Sequence, residues 1–433
     1  MTTPQSAAQI EPKTSDKPKK ARGAAIAGGV GTLIEGYDFS MYGYMAIFVA
    51  PVFFPNDDKT ASLLTALMVF AASYFIRPLG GIVFGHIGDR ISRKTALMST
   101  LLIMGCSSTL IGILPSYAQI GIWATLLLVL LRLLQGFSVG GEVAGAATLV
   151  NEAADKKTKG RYGALNPMGA TLGFALASAT AGIVSALTTS EQMAEWGWRI
   201  PFLLALPLTI VSFLLRRRLV EAHDPKAETE KAKAPVLEVI TKAPLTLLKA
   251  VAFSMAVNGT AYFGLTFLSI HMLNRLGRDT AETYWITTIV VITAALLMPL
   301  AGRLGDKISL PSLALIGLGG YVVLTIPGMM LINSAGGLVS LIGFLLIMVN
   351  TSALQVSGYT LMPQLFERKV RYTGAALGWN FGVVITGGTA PALCVWLIEA
   401  TGNLVAPAYY VVGLSIIGAL AALAIKRSKL PED

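Results

Sequence analysis

Charge is scarce in this chain. Asp, Glu, Lys and Arg make up 13% of its 433 residues and hydrophobic side chains 54%, whereas a soluble domain carries roughly 25% charge. So few charges cannot cover a water-facing surface of ordinary size. Cysteine is nearly absent: Cys106 and Cys394 both fall inside apolar runs and are expected to be small buried hydrophobes, with no disulfide and no metal site. No G-x-x-x-x-G-K-[ST] loop occurs, which argues against an ATP-driven pump. Nucleotide fingerprints, nucleophile elbows and metal-ligand clusters are missing too, so neither an enzyme nor a cofactor is expected. No short apolar region followed by a small-residue cleavage site opens the chain, so a removable signal peptide is not expected.

What the chain has in quantity is apolar blocks of roughly 20 residues, the length a helix needs to cross a ~30 Å hydrocarbon core. A β-barrel would show alternating segments of ~10 residues instead. The hydropathy predicts an all-α polytopic membrane protein with twelve transmembrane helices, at about 24–53, 60–85, 95–115, 120–150, 162–188, 199–218, 245–273, 281–302, 309–333, 336–362, 372–400 and 405–425. Of the 34 Lys and Arg, only Lys59, Arg199, Arg275 and Arg278 then fall on the outer side, and only Arg77 and Arg132 within spans. That bias is the positive-inside rule; it puts both termini in the cytoplasm, in a bacterial plasma membrane, and accounts for the net charge of +10 without nucleic acid. The expected organisation is a tail (1–22), a six-helix half (23–218), a polar linker (219–242), a second six-helix half (243–426) and a tail (427–433) too short for a regulatory domain.

The two halves echo one another. GHIGDRIS at Gly85–Ser92 returns half a chain later as GRLGDKIS at Gly302–Ser309. Each copy is expected to form a glycine-bearing turn between spans, and such repeats are typical of secondary transporters that bind solute between their halves. Cations alone would set topology, yet Asp89 returns as Asp306. The motif therefore also suggests a gate latch made of Gly85, Asp89, Arg90, Arg93, Asp306 and Lys307.

Charges within spans cost roughly 2.5–3.5 kcal/mol at mid-membrane and should be paired or face water. Glu35 and Asp38 are three apart on the first span, with Tyr42 a turn further on; Arg77 precedes Pro78; Arg132, Gln135 and Glu142 share one side of the fourth span. These groups can form a neutralised structural network or a coupling site in which a proton and a solute carboxylate compete for arginine. Asp38, Glu35 and Glu142 are the candidates for carrying the proton, and Arg77, Arg132, Gln135 and Tyr42 for binding solute. In the second half the polar candidates are Asn258, Tyr262, Gln355, Trp379 and Asn380, with Asn350 beside them. His271 reads as interfacial, Trp196 and Trp198 as part of the outer aromatic belt, and Arg199 as an attractor of anions at the entrance.

The loop pattern G-x-x-x-D-[RK]-x-[GS]-R-[RK] resembles that of the major facilitator superfamily. Several stretches narrow the resemblance to its metabolite:proton symporters: IEGYDFSMYGY (Ile34–Tyr44), FIRPLGGIVFGHIGDR (Phe75–Arg90), PSYAQIGIW (Pro115–Trp123), RLLQGFSVGGE (Arg132–Glu142), WGWRIPF (Trp196–Phe202) and RYTGAALGWNFG (Arg371–Gly382). The resemblance implies the major facilitator fold and proton-coupled import of dicarboxylates, citrate, shikimate-like or aromatic acids, or zwitterions such as proline and betaine. Gly36 stands where that family usually has an aromatic residue, which suggests extra room beside the first span. The second loop copy ends SLPS (Ser309–Ser312) and lacks the basic pair.

The function expected is symport of protons with a small carboxylate-bearing metabolite, its partners being an anionic or zwitterionic organic solute, protons and the bilayer. Uptake of a zwitterionic osmolyte is the alternative, as is proton-antiport efflux. The fifth span, ALNPMGATLGFALASATAG (Ala164–Gly182), lacks the glycine-proline signature of exporters, and a receptor would have no soluble domain through which to signal.

Overall fold

A computed structural model of the chain describes residues 17–90, 93–140, 147, 154, 158–219, 235–334, 336–367, 369–428 and 431; among them every regular element is a helix. The long helices are, in order, α1 (Lys17–Phe53), α2 (Lys59–Phe84), α3 (Arg93–Ile113), α4 (Ile122–Val139), α5 (Lys159–Leu187), α6 (Ser190–Leu214), α7 (Pro244–Asn274), α8 (Thr280–Ile308), α9 (Leu310–Asn333), α10 (Gly337–Leu365), α11 (Arg371–Thr401) and α12 (Ala406–Arg427). Ten of them are long and apolar enough to cross a bilayer. The remaining two are α3, whose apolar part is Met98–Ile113, and α1, which carries Glu35 and Asp38. Helix is the form that satisfies every backbone group within one segment, as hydrocarbon requires.

Polar residues punctuate these runs. Asp58 accepts from the Thr60 amide and Asp279 from the Glu282 amide, each at 2.8 Å, and so cap α2 and α8. Pro244, Pro311 and Pro407 occupy first turns, where a missing N–H costs nothing. In the first half α1 lies along α5, with the Thr32 hydroxyl donating to the Asn166 carbonyl at 2.9 Å. In the second, α7 packs on α11 and α12, and α9 on α10. The halves meet most extensively where α5 runs beside α8.

Several sequence expectations are corrected. The repeated motif is mostly helix rather than turn: the first copy is helical up to Arg90, its last two residues lying outside the described residues, and α8 runs through the second as far as Ile308. Glycines three apart line one side of a helix as a groove and leave its hydrogen bonds intact. In the second copy the chain turns at Ser309, with φ 85° and ψ 146°. Trp198 does not join an aromatic belt; it is buried edge-on to Phe53 and Phe202, whereas Trp196 is exposed. Residues two apart on a helix face opposite ways, so one of the pair meets lipid and the other the core. Arg199 is no entrance charge: it donates to the carbonyls of Gly112 and Leu114 at 3.1 and 2.7 Å and so caps α3. His271 is buried, with Nε2 2.7 Å from the Asn333 Oδ1 and its ring stacked on Phe267. Glu142 lies outside the described residues, as do the side chains of Asp89, Arg90 and Arg93.

Candidate functional site

One cavity of about 60 Å³ opens between the halves. Its first-half wall comes from α1 (Thr32, Glu35, Gly36, Phe39), from Arg77 on α2, and from Ala170 and Phe174 on α5; Asn258, Tyr262, Tyr359 and Trp379 close it from the second half. The four α1 residues fall at i, i+3, i+4 and i+7, a single stripe along the helix. Asp38 lies off that stripe. Three residues of helix leave about 60° between it and Glu35, enough to put Glu35 on the cavity and Asp38 behind it, so the two carboxylates do not share a face.

Aromatic rings hold the cavity's cation. The Arg77 guanidinium carbon lies 4.3 Å from the Phe39 ring centre and 4.2 Å from that of Tyr74. Tyr74 in turn meets Tyr262 edge-on at 5.6 Å, and Tyr359 meets Trp379 edge-on at 4.6 Å. Cation–π contacts of this kind contribute about 0.5–2 kcal/mol each, more where water is excluded. Asn258 is anchored to its own helix through the Ser254 carbonyl and hydroxyl, both at 3.0 Å.

A second polar layer lies behind Phe39. Arg132 is fully buried; it donates to Gln135 at 2.6 Å and to the Ser73 hydroxyl at 3.3 Å, and its guanidinium stacks on Tyr42 and on Phe39. Gln135 passes a 2.7 Å hydrogen bond to the Ser108 hydroxyl, and Ser108 faces Asp38. Both Asp38 oxygens are buried. The sequence groups Arg132, Gln135 and Tyr42 with the solute contacts, but in this conformation none of them lines the cavity. Phe39 and Phe70 stand in the way, and Arg132 spends its hydrogen bonds on neutral groups of its own half.

Gly36 adds no room. A β-carbon there would collide with the Ala170 carbonyl of α5. The missing side chain is replaced by the backbone of a neighbouring helix, which corrects the expectation of a wider cavity.

The halves touch on both sides of the cavity. Toward the end carrying the chain termini, Asp306 accepts from the amides of Gly160 (2.7 Å) and Arg161 (3.0 Å) at the start of α5. Gly302 and Gly160 approach so closely there that neither position admits a β-carbon. Lys307, its neighbour in the motif, is exposed. Asn380 donates to the Gly140 carbonyl at 3.3 Å, a bond between the halves, and does not line the cavity. Gln355 donates to the Val257 carbonyl at 3.2 Å and ties α10 to α7. At the opposite end the Tyr284 hydroxyl donates to the Tyr44 carbonyl at 2.6 Å, and Ser178 donates to the Tyr284 carbonyl at 2.9 Å.

Of the residues singled out by sequence, Glu35, Arg77, Asn258, Tyr262 and Trp379 meet around one cavity. Phe39, Phe174 and Tyr359 were missed. Phe39 was within reach, being four residues from Glu35 and so on its face; nothing in the sequence separates Phe174 or Tyr359 from ordinary apolar packing.

Residues 24–221 match the family model described as sugar (and other) transporter. The proline/betaine transporter of Salmonella typhimurium is 34% identical over 94% of this chain and 84% of its own length. That of Escherichia coli K12 is 33% identical over the same shares. Among solved structures, the proton:xylose symporter XylE bound to 6-bromo-6-deoxy-D-glucose superposes with a TM-score of 0.74 at 15% identity, covering 95% of this chain and 96% of that one. A D-xylose-proton symporter gives 0.73 at 17% identity over 94% and 97%. The fold and these relatives establish that the chain belongs to the major facilitator superfamily of transporters, in one family with the proline/betaine transporters.

Proposed function

We propose that this transporter imports a small zwitterionic solute of the proline/betaine kind together with protons. The observation that carries the proposal is a single cavity lined by one arginine, one glutamate and several aromatic rings. A purely anionic metabolite would find Arg77 but also the repelling carboxylate of Glu35. A zwitterion uses both: its carboxylate matches the planar fork of Arg77, and its cationic nitrogen suits Glu35 and the faces of Tyr359 and Trp379. The names of the curated relatives agree with this choice.

Asp38 is our candidate for the proton carrier. It is buried in the layer behind the cavity, beside the Ser108–Gln135–Arg132 chain. Because Arg77 and Arg132 both rest on Phe39, a solute carboxylate that draws Arg77 off the ring alters the setting of Arg132, and the hydrogen-bond chain carries that change toward Asp38. The Asp306 contacts with Gly160 and Arg161 then serve as the cytoplasmic latch, broken when the halves rock open. A proton entering down a 100 mV potential supplies about 2.3 kcal/mol toward accumulation.

The test is uptake into proteoliposomes. With an inward proton gradient, labelled proline or glycine betaine should accumulate and succinate should not. In de-energised vesicles, adding the transported solute should alkalinise the medium. Accumulation of succinate alone would overturn the zwitterion assignment; confirmed uptake without proton movement would overturn symport.

A further inference from the structure

The segment Pro235–Lys242, between the two halves and just ahead of α7, forms a short helix with an unusual division of faces. Val239 is fully buried against the protein, whereas Val236, Leu237 and Ile240 are 42%, 61% and 48% exposed. At 100° per residue those three span one side of the helix of about 100°. Glu238 and Lys242 lie on the other side. Glu238 bonds both Lys242 and Lys369, each at 3.0 Å, which fastens the helix to the segment leading into α11. Those lysine contacts, Lys369 first, hold the Glu238 carboxyl below its ordinary range.

An apolar stripe facing away from the protein needs an occupant, and its surroundings indicate which. The next turns of chain, at the start of α7, expose Leu245 and Leu248 at 70% and 65% on a helix built to cross the bilayer. The stripe therefore runs on from the lipid-facing surface of α7. Cations gather at the same level: Lys242 and Lys369 pair with Glu238, Lys369 also with Glu367 at 3.4 Å, Lys249 donates to Ser428 at 2.7 Å, and Lys426 and Arg427 close the last turn of α12. Apolar side chains beside lysines suit the boundary between phospholipid headgroups and acyl chains, where basic groups meet anionic lipid.

We infer that Pro235–Lys242 is an interfacial helix, its Val236–Leu237–Ile240 face inserted at the headgroup–acyl boundary and its Glu238 face clamped to Lys369. The bilayer surface thereby becomes part of what positions the segment before α11. This inference stands apart from the identity of the solute.

The test uses the full chain with Cys106→Ser, the buried Cys394 being left in place, and single Leu237→Cys, Ile240→Cys and Lys242→Cys variants carrying a spin label. In liposomes of phosphatidylcholine and phosphatidylglycerol, labels at 237 and 240 should collide several-fold more often with oxygen than with a water-soluble nickel chelate, and the ratio should reverse at 242. Equal nickel access at 237 and 242 would overturn the inference, since the stripe would then lie in water. Shielding of 237 from both reagents would overturn it in favour of a protein partner. In a label-free arm, amides 236–242 should exchange hydrogen more slowly in the parent than in the Leu237→Ser/Ile240→Ser double variant; equal rates would count against insertion.

Discussion

Arg77 and Arg132 rest on the same ring, their guanidinium carbons 4.3 and 4.8 Å from the centre of Phe39. One belongs to the cavity and the other to the layer behind it, so the ring is where the two layers meet. Phe39→Leu keeps the apolar bulk but removes two cation–π contacts worth about 0.5–2 kcal/mol each. Uptake should fall at least tenfold with the chain still inserted, while Phe39→Tyr, which keeps a ring, should retain most activity. Equal activity in Phe39→Leu and the parent would show that the ring is only packing.

The two arginines should fail differently. Arg77→Ala empties the cavity of its cation, so both binding and uptake should be lost, with thermal stability close to the parent. Arg132→Ala strands Gln135 and Ser73 in a buried site at about 1–3 kcal/mol; uptake should be lost while binding of proline or betaine, read by calorimetry, persists. Normal transport in either variant removes that arginine from the mechanism.

Asp306→Ala removes the acceptor for two amides at the start of α5. Loss of a helix cap costs about 0.5–2 kcal/mol, here taken from the closed state on that side. A cysteine placed at Tyr359, on the cavity wall, should then react faster with an impermeant thiol reagent applied from the termini-bearing face. An unchanged rate would mean that the contact does not hold the halves together.

Gly36→Phe, which supplies the aromatic residue that the sequence resemblance leads one to expect there, should be costly in this chain because its β-carbon meets the Ala170 carbonyl. Separating α1 from α5 is expected to cost about 1–3 kcal/mol, seen as a lower melting temperature and lower expression. A stable variant with altered solute preference would show that α5 yields more readily than its packing implies.

Ser309 holds a positive φ with an extended ψ, a conformation that strains any side chain. Ser309→Gly should relieve about 1 kcal/mol and raise the melting temperature of purified protein; an unchanged or lower value would show that the hydroxyl's 3.0 Å bond to Ser312 outweighs the strain.

The architecture was legible because hydropathy sets span length, and the repeat around Asp89 and Asp306 marks equivalent points in the two halves. The site was only half legible. Glu35, Arg77 and Tyr262 announce themselves as polar groups inside apolar runs, but the sequence cannot say which way each one turns. Glu35 and Asp38 look like partners in the chain and point into different layers, since 60° of helix rotation decides which neighbour each meets. Tyr359 and Phe174 reach the cavity through tertiary packing that leaves no local pattern. Arg199 and Trp198 show the opposite error, polar and aromatic residues at a span end taken up by helix ties rather than by the entrance.

Phe39, Phe70, Tyr42 and Tyr74 form a dry wall between the cavity and Asp38. If Asp38 carries the proton as proposed, a proton passing between it and the cavity must wait for one of these side chains to swing. The wall also separates two kinds of substitution in this chain. Residues on the cavity side can be exchanged to suit a new solute while the buried chain from Arg132 to Ser108 stays as it is.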